Sequence, residues 1–202
     1  MGGHDPYSAS KACTELIAAA YRRSFLTARG VGLATARAGN VIGGGDWTPT
    51  RLVPDILAAF AADAPVTLRN PEAIRPWQHV LEPLAGYLLL AEKLFTDGLP
   101  WAEGWNFGPD DTDSRSVAWI VERLAAGWGD HARWRVADGP CIHETQALRL
   151  DCTKARRRLG WHPRWSAETA VDRSLAWYRA WRAGGDMRRA CLDEITAFGT
   201  RP

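Results

Sequence analysis

The sequence predicts an α/β fold, on three observations. Stretches with apolar residues at helical spacing alternate with short apolar runs of strand length. The strongest strand candidate, residues 31–38, leads into a polar, glycine-rich turn, which is where open α/β sheets hold ligands. The 202-residue chain can bury a sizeable core, and no repeat, low-complexity linker or clear internal boundary interrupts it.

In chain order, a first helix is predicted to open at Pro6, because Asp5 can cap it and proline suits a first turn. It continues through residues 12–25, where Leu16, Ile17 and Ala20 recur at helical spacing without a breaker. Tyr7 and Lys11 then lie four residues apart on one helical face, within reach of each other. That placement has a chemical use. A free phenol, with a pKa near 10, is a poor base at neutral pH. An ammonium fixed beside a phenol favours phenolate and lowers such a pKa by about 1–3 units. On spacing alone, a tyrosine and a lysine on an ordinary amphipathic helix is the default reading, since Tyr-x-x-x-Lys is a frequent pattern.

Residues 31–38 read as a buried strand, and Asn40 and Gly43-Gly44-Gly45 lie in the turn behind it. No G-x-G-x-x-G fingerprint occurs, so these glycines are not read as a dinucleotide loop. Residues 52–62 predict a helix with Arg51 just before it, and 66–68 a short strand, followed by a loop to Ile74-Arg75. An arginine fork matches a diphosphate geometrically, although a solvated surface arginine is the default. Pro83 suits the first turn of a helix to about Phe95, with Leu84, Leu88 and Ala91 on its inner face. Residues 105–107, which include Asn106, predict a strand, and 117–126 a helix closed by Gly127. Residues 134–136 read as a strand, after which His143 opens a run towards Asp151. Asp151 and Ser166 can cap two further helices, the first closed by Gly160. An amphipathic helix over about 187–198 ends the chain.

Bulk composition narrows the function classes. A net charge of +2, from 25 basic and 23 acidic residues, gives no general attraction to nucleic acid or membrane. Cys13, Cys141, Cys152 and Cys191 form no C-x-x-C pair, and no secretory signal is evident, so a reducing cytoplasm is expected. The five histidines show no metal-ligand spacing, so no metal is expected, and the longest apolar run is too short to span a bilayer.

His4-Asp5-Pro6-Tyr7-Ser8-Ala9-Ser10-Lys11 resembles the active-site helix of the extended short-chain dehydrogenase/reductase family. Three later runs look like the CDP-glucose 4,6-dehydratases within it: Arg37-Ala38-Gly39-Asn40-Val41-Ile42-Gly43-Gly44-Gly45-Asp46-Trp47, then Arg51-Leu52-Val53-Pro54-Asp55, then Ile74-Arg75-Pro76-Trp77-Gln78-His79-Val80. The likeness continues through Trp105-Asn106-Phe107-Gly108-Pro109 to Leu159-Gly160-Trp161. Such runs in the right order are strongly specific.

The resemblance implies the C-terminal part of an extended Rossmann-type fold, with the substrate-binding lobe and without the glycine-rich N-terminal half. Residues 1–47 would end the Rossmann domain and 48–202 form mainly a sugar-nucleotide-binding lobe. It implies NAD as cofactor and CDP-glucose as substrate, dehydrated to the 4-keto-6-deoxy sugar nucleotide for lipopolysaccharide biosynthesis. Tyr7 would be the base at the sugar 4-hydroxyl and Lys11 would hold the nicotinamide ribose, with Ala38 beside the nicotinamide. Asn40, Arg51, Arg75, Asn106 and His143 would contact the substrate. The full-length enzyme would be a homodimer or larger oligomer. In the family, an earlier part of the chain supplies the glycine-rich loop, a hydroxyl partner for the tyrosine and the eliminating acid–base pair. The chain is therefore expected to be a portion of a longer enzyme, inactive alone. A related NAD-dependent sugar-nucleotide epimerase or dehydratase, or a non-catalytic sugar-nucleotide-binding module, stays open as an alternative.

Overall fold

Residues 5–138 and 145–200 are described by the computed structural model of the protein. In chain order the elements are α1 (Pro6–Tyr21), β1 (Thr35–Ala38), β2 (Asn40–Ile42), α2 (Leu52–Ala61), β3 (Val66–Leu68), β4 (Ile74–His79), α3 (Leu81–Thr96), β5 (Gly104–Phe107), β6 (Ser114–Ser116), α4 (Val117–Trp128), β7 (Trp134–Val136), α5 (Ala167–Arg182) and α6 (Met187–Gly199). They belong to two units. One takes the chain up to Ala38 with Leu84–Phe107 and Asp151–His162; the other takes Gly39–Pro83, Gly108–Leu150 and the chain from Pro163 onward. Each unit is assembled from three stretches, whereas the sequence reading expects a single cut between residues 47 and 48.

In the first unit, α1 begins where local chemistry starts it. The Asp5 carboxylate accepts the Ser8 N–H at 2.9 Å and the Ser8 hydroxyl at 2.6 Å, and these bonds hold its pKa below the usual carboxylate range. No α1 residue is buried, so Leu16 and Ile17 lie on an exposed stripe. β1 and β5 run parallel, in register from Thr35 opposite Gly104 to Ala38 opposite Phe107. The Phe107 ring stands edge-on to Trp161 at 5.2 Å, and Trp105, Leu90 and Leu159 are buried in the same unit.

α3 turns differently from the expected orientation. Leu84, Leu88 and Ala91 are exposed, and the inward positions are Gly86 and Leu90. A Cβ on Gly86 would overlap the Phe107 ring, so the missing side chain is what lets the ring reach the helix backbone. Apolar residues occupy several sides of this helix, and their spacing alone does not choose among them.

In the second unit, β4 is the middle strand of three. β2 pairs with it in parallel, Asn40 opposite Trp77, and β6 pairs in antiparallel, Arg75 opposite Arg115. β3 and β7 form a separate parallel pair. Ile56, Phe60, Ile120, Leu124, Val171 and Leu175 from α2, α4 and α5 form the core with Trp77 and Ile42. Burying each such side chain contributes about 1.5–3 kcal/mol. The strand expected over 31–38 is realised only over its last four residues, and a second strand follows after Gly39. A Cβ at Gly39 would overlap the Pro76 carbonyl, so glycine permits this close approach of two backbones. α4 runs through Gly127 and stops before Gly129, whose φ of 120° lies in the region glycine tolerates.

Two features fasten this unit. The buried Glu82 carboxylate accepts the backbone N–H of Trp165 at 2.7 Å and that of Arg164 at 3.0 Å. Burial nevertheless pushes its pKa above the usual carboxylate range, against those bonds. The glycine run packs on α5: a Cβ on Gly44 would overlap the Trp177 ring, and the Trp47 ring lies tilted against that of Trp181, 4.4 Å between centroids.

Candidate functional site

Tyr7 stands in the first turn of α1 and Lys11 follows one turn later, which puts both on one face of that helix. The Lys11 ammonium stands 5.4 Å from the centre of the Tyr7 ring, and Tyr7 is 69% exposed. A phenol beside a cation, open to solvent, suits proton exchange with a hydroxyl of a bound ligand.

One further turn along the same face comes Glu15, which sequence reasoning did not single out. Its carboxylate accepts the Thr35 hydroxyl of β1 at 2.8 Å and lies 3.7 Å from the Arg37 guanidinium. At the far end, Arg22 Nε donates to the Leu33 carbonyl at 2.8 Å. These bonds set the helix carrying Tyr7 and Lys11 against β1. The signal was available: Glu15 is the only acid in α1, four residues after Lys11. Its partners, however, are 20 residues on for Thr35.

Ala38 is the last residue of β1, at its carboxyl end, and Asn106 lies one residue before the end of β5. The Asn106 side-chain amide donates to the Asp151 carbonyl at 2.9 Å, which holds the stretch beginning at Asp151 onto the strand. Its buried Oδ1 has no hydrogen-bond partner among the described residues.

In the second unit, side chains alternate along β4, so Arg75 and Trp77 share one face. Register places Asn40 beside Trp77 on that same face, so two of the predicted residues stand on one side of one sheet. Arg75 is 8% exposed, and its guanidinium donates to the Ile74 carbonyl at 2.9 Å. Arg51 stands exposed immediately before α2, where its carbonyl accepts the Asp55 N–H at 3.0 Å. His143 lies outside the described residues. Of the residues the sequence puts forward, Tyr7, Lys11, Ala38 and Asn106 thus lie in one unit, and Asn40, Arg51 and Arg75 in the other.

Among the described residues, no group of three or more His, Cys, Asp or Glu side chains is arranged to hold a metal ion. No helix among them is long and apolar enough to cross a membrane.

Comparison with known proteins adds a family to this geometry. A family model described as GDP-mannose 4,6 dehydratase matches residues 1–174. The chain is 50% identical over 203 aligned residues to a CDP-glucose 4,6-dehydratase of Salmonella typhimurium strain LT2, covering 98% of this chain and 56% of that protein. Among solved structures, a UDP-glucose-4-epimerase of Stenotrophomonas maltophila with bound NAD superposes with a TM-score of 0.73 at 20% identity, over 89% of this chain and 56% of that one. A dTDP-glucose 4,6-dehydratase of Bacillus anthracis in complex with NAD gives 0.69 at 19% identity, over 89% and 53%. The chain therefore spans about half the length of the relatives it matches, and it has the α/β fold of the corresponding part of these Rossmann-like proteins.

Proposed function

The chain belongs to the GDP-mannose 4,6 dehydratase family, and from that membership we propose that it serves in the NAD-dependent dehydration of CDP-glucose to CDP-4-dehydro-6-deoxyglucose. The single observation behind the choice of substrate is the 50% identity, over almost the whole chain, to a CDP-glucose 4,6-dehydratase.

The first unit fits one end of the cofactor. Tyr7 and Lys11 offer an exposed hydroxyl and ammonium on one turn of helix, suited to the hydroxyls of the nicotinamide ribose. The small side chain of Ala38 ends β1 at the strand end where such sheets bind ligands. When bound, NAD supplies the carrier for the hydride removed from the sugar and later returned to it. The chain's own part is acid–base and positional. Tyr7 takes the proton from the sugar 4-hydroxyl as that carbon is oxidised. Lys11 sets a positive charge where negative charge develops on the phenol oxygen, and orients the ribose. Arg75 and Asn40 hold the nucleotide from one sheet face, with Arg51, Asn106 and His143 as further substrate contacts. A cytoplasmic place in lipopolysaccharide biosynthesis completes the reading.

The test is a chimera in which residues 5–200 replace the matched segment of the Salmonella typhimurium relative. CDP-glucose should be converted to the 4-keto-6-deoxy product. Tyr7→Phe in the chimera should lower kcat by about 10²–10⁴-fold, the usual worth of a general base, with CDP-glucose affinity unchanged. Near-normal turnover by Tyr7→Phe would remove α1 from the chemistry.

A further inference from the structure

Arg115 on β6 stands directly opposite Arg75 on β4. Opposed residues of an antiparallel pair share a face, with Cβ atoms about 4.5–5.5 Å apart. The backbone at Arg115 is pinned, because the buried Trp77 donates its indole N–H to the Arg115 carbonyl at 3.0 Å. The exposed Arg115 guanidinium lies 5.3 Å from the centre of the Trp119 ring, so its stem has a defined course. Asn40 occupies the same face, beside Trp77.

Two arginine forks rooted at opposed positions on one sheet face can take different oxygens of one multiply charged anion. Each planar fork takes two oxygens from a phosphate. A single carboxylate would engage one fork, whereas two linked phosphates have oxygens for both. We propose that Arg115 is a second anchor for the phosphates of a nucleoside diphosphate, gripping from β6 while Arg75 grips from β4. The inference rests on the sugar-nucleotide reading above and adds a residue that reading does not use.

Calorimetric titration of the full chain with CDP, inorganic pyrophosphate and cytidine tests it, using Arg115→Ala, Arg115→Gln and Arg75→Ala. Gln keeps most of the stem over Trp119 and guards against a loss that is only misfolding. Both Arg115 variants should bind CDP and pyrophosphate about tenfold more weakly, ~1.4 kcal/mol, with cytidine unchanged. If Arg115 variants stay within about twofold of wild type for both anions while Arg75→Ala does not, Arg115 is a surface residue and the sugar-nucleotide reading survives. If pyrophosphate binding depends on Arg115 but CDP binds no better than pyrophosphate, the phosphate anchor stands and the nucleotide reading fails. Absence of binding by either anion to the unaltered chain overturns both.

Discussion

Replacing Glu15 by alanine should release α1 from β1 while leaving the second unit folded. α1 buries no residue, so its attachment depends on a few polar contacts. The Thr35 hydroxyl bond to the Glu15 carboxylate, 2.8 Å long and partly buried, is of the charged type. Such bonds contribute about 1.5–3 kcal/mol. The ion pair to the half-exposed Arg37, at 3.7 Å, is screened by solvent, and an exposed pair of this kind adds only about 0.2–1 kcal/mol. Together they stabilise the attachment by roughly 2–4 kcal/mol, which corresponds to between about thirtyfold and nearly a thousandfold in an opening equilibrium. Amide hydrogen exchange read by mass spectrometry reports that equilibrium segment by segment. Peptides covering α1 should exchange faster by a factor in that range, with peptides from α5 unchanged. Glu15→Gln keeps an acceptor for Thr35 and should fall between. Unchanged protection of α1 in Glu15→Ala, or equal loss in α1 and α5, would refute this account of how the Tyr7 and Lys11 helix is held.

Three other outcomes follow from the packing. Glu82→Ala leaves the Arg164 and Trp165 amides without their carboxylate acceptor, and two orphaned amides should cost roughly 2–6 kcal/mol in urea unfolding. Burial raises the folded Glu82 pKa above 4.5, so the folded chain holds that proton more tightly than the unfolded one. The group's contribution is therefore full below pH 4.5 and lost as pH rises through the folded value, a slope that should vanish in Glu82→Gln. Gly44→Ala forces a methyl group into the Trp177 ring and should destabilise by about 1–3 kcal/mol with an altered near-ultraviolet tryptophan spectrum. Gly199→Ala, which points into open space, serves as its near-neutral control.

The features decided within a few residues were legible in the sequence alone. Asp5 with Pro6 starts α1, Ser166 starts α5 by accepting the Thr169 N–H, and Gly160 ends its segment at φ 65°. Each is a local contest between backbone donors and one nearby side chain, and the winner does not depend on the rest of the fold. The Tyr7 and Lys11 pairing belongs with these, because a helix alone brings positions four apart together. Tertiary structure decided the rest. The inward turn of α3 depends on the Phe107 ring seated over Gly86, from a strand whose register no helical spacing encodes. The break at Gly39 depends on where the Pro76 carbonyl approaches. The Glu15 hold on Thr35, the shared face of Asn40 and Arg75, and the opposed register of Arg75 and Arg115 are all set by strand pairing or by packing between elements distant in sequence. Pairing register is chosen by the joint burial of many residues, and a slip by one would send every side chain to the opposite face.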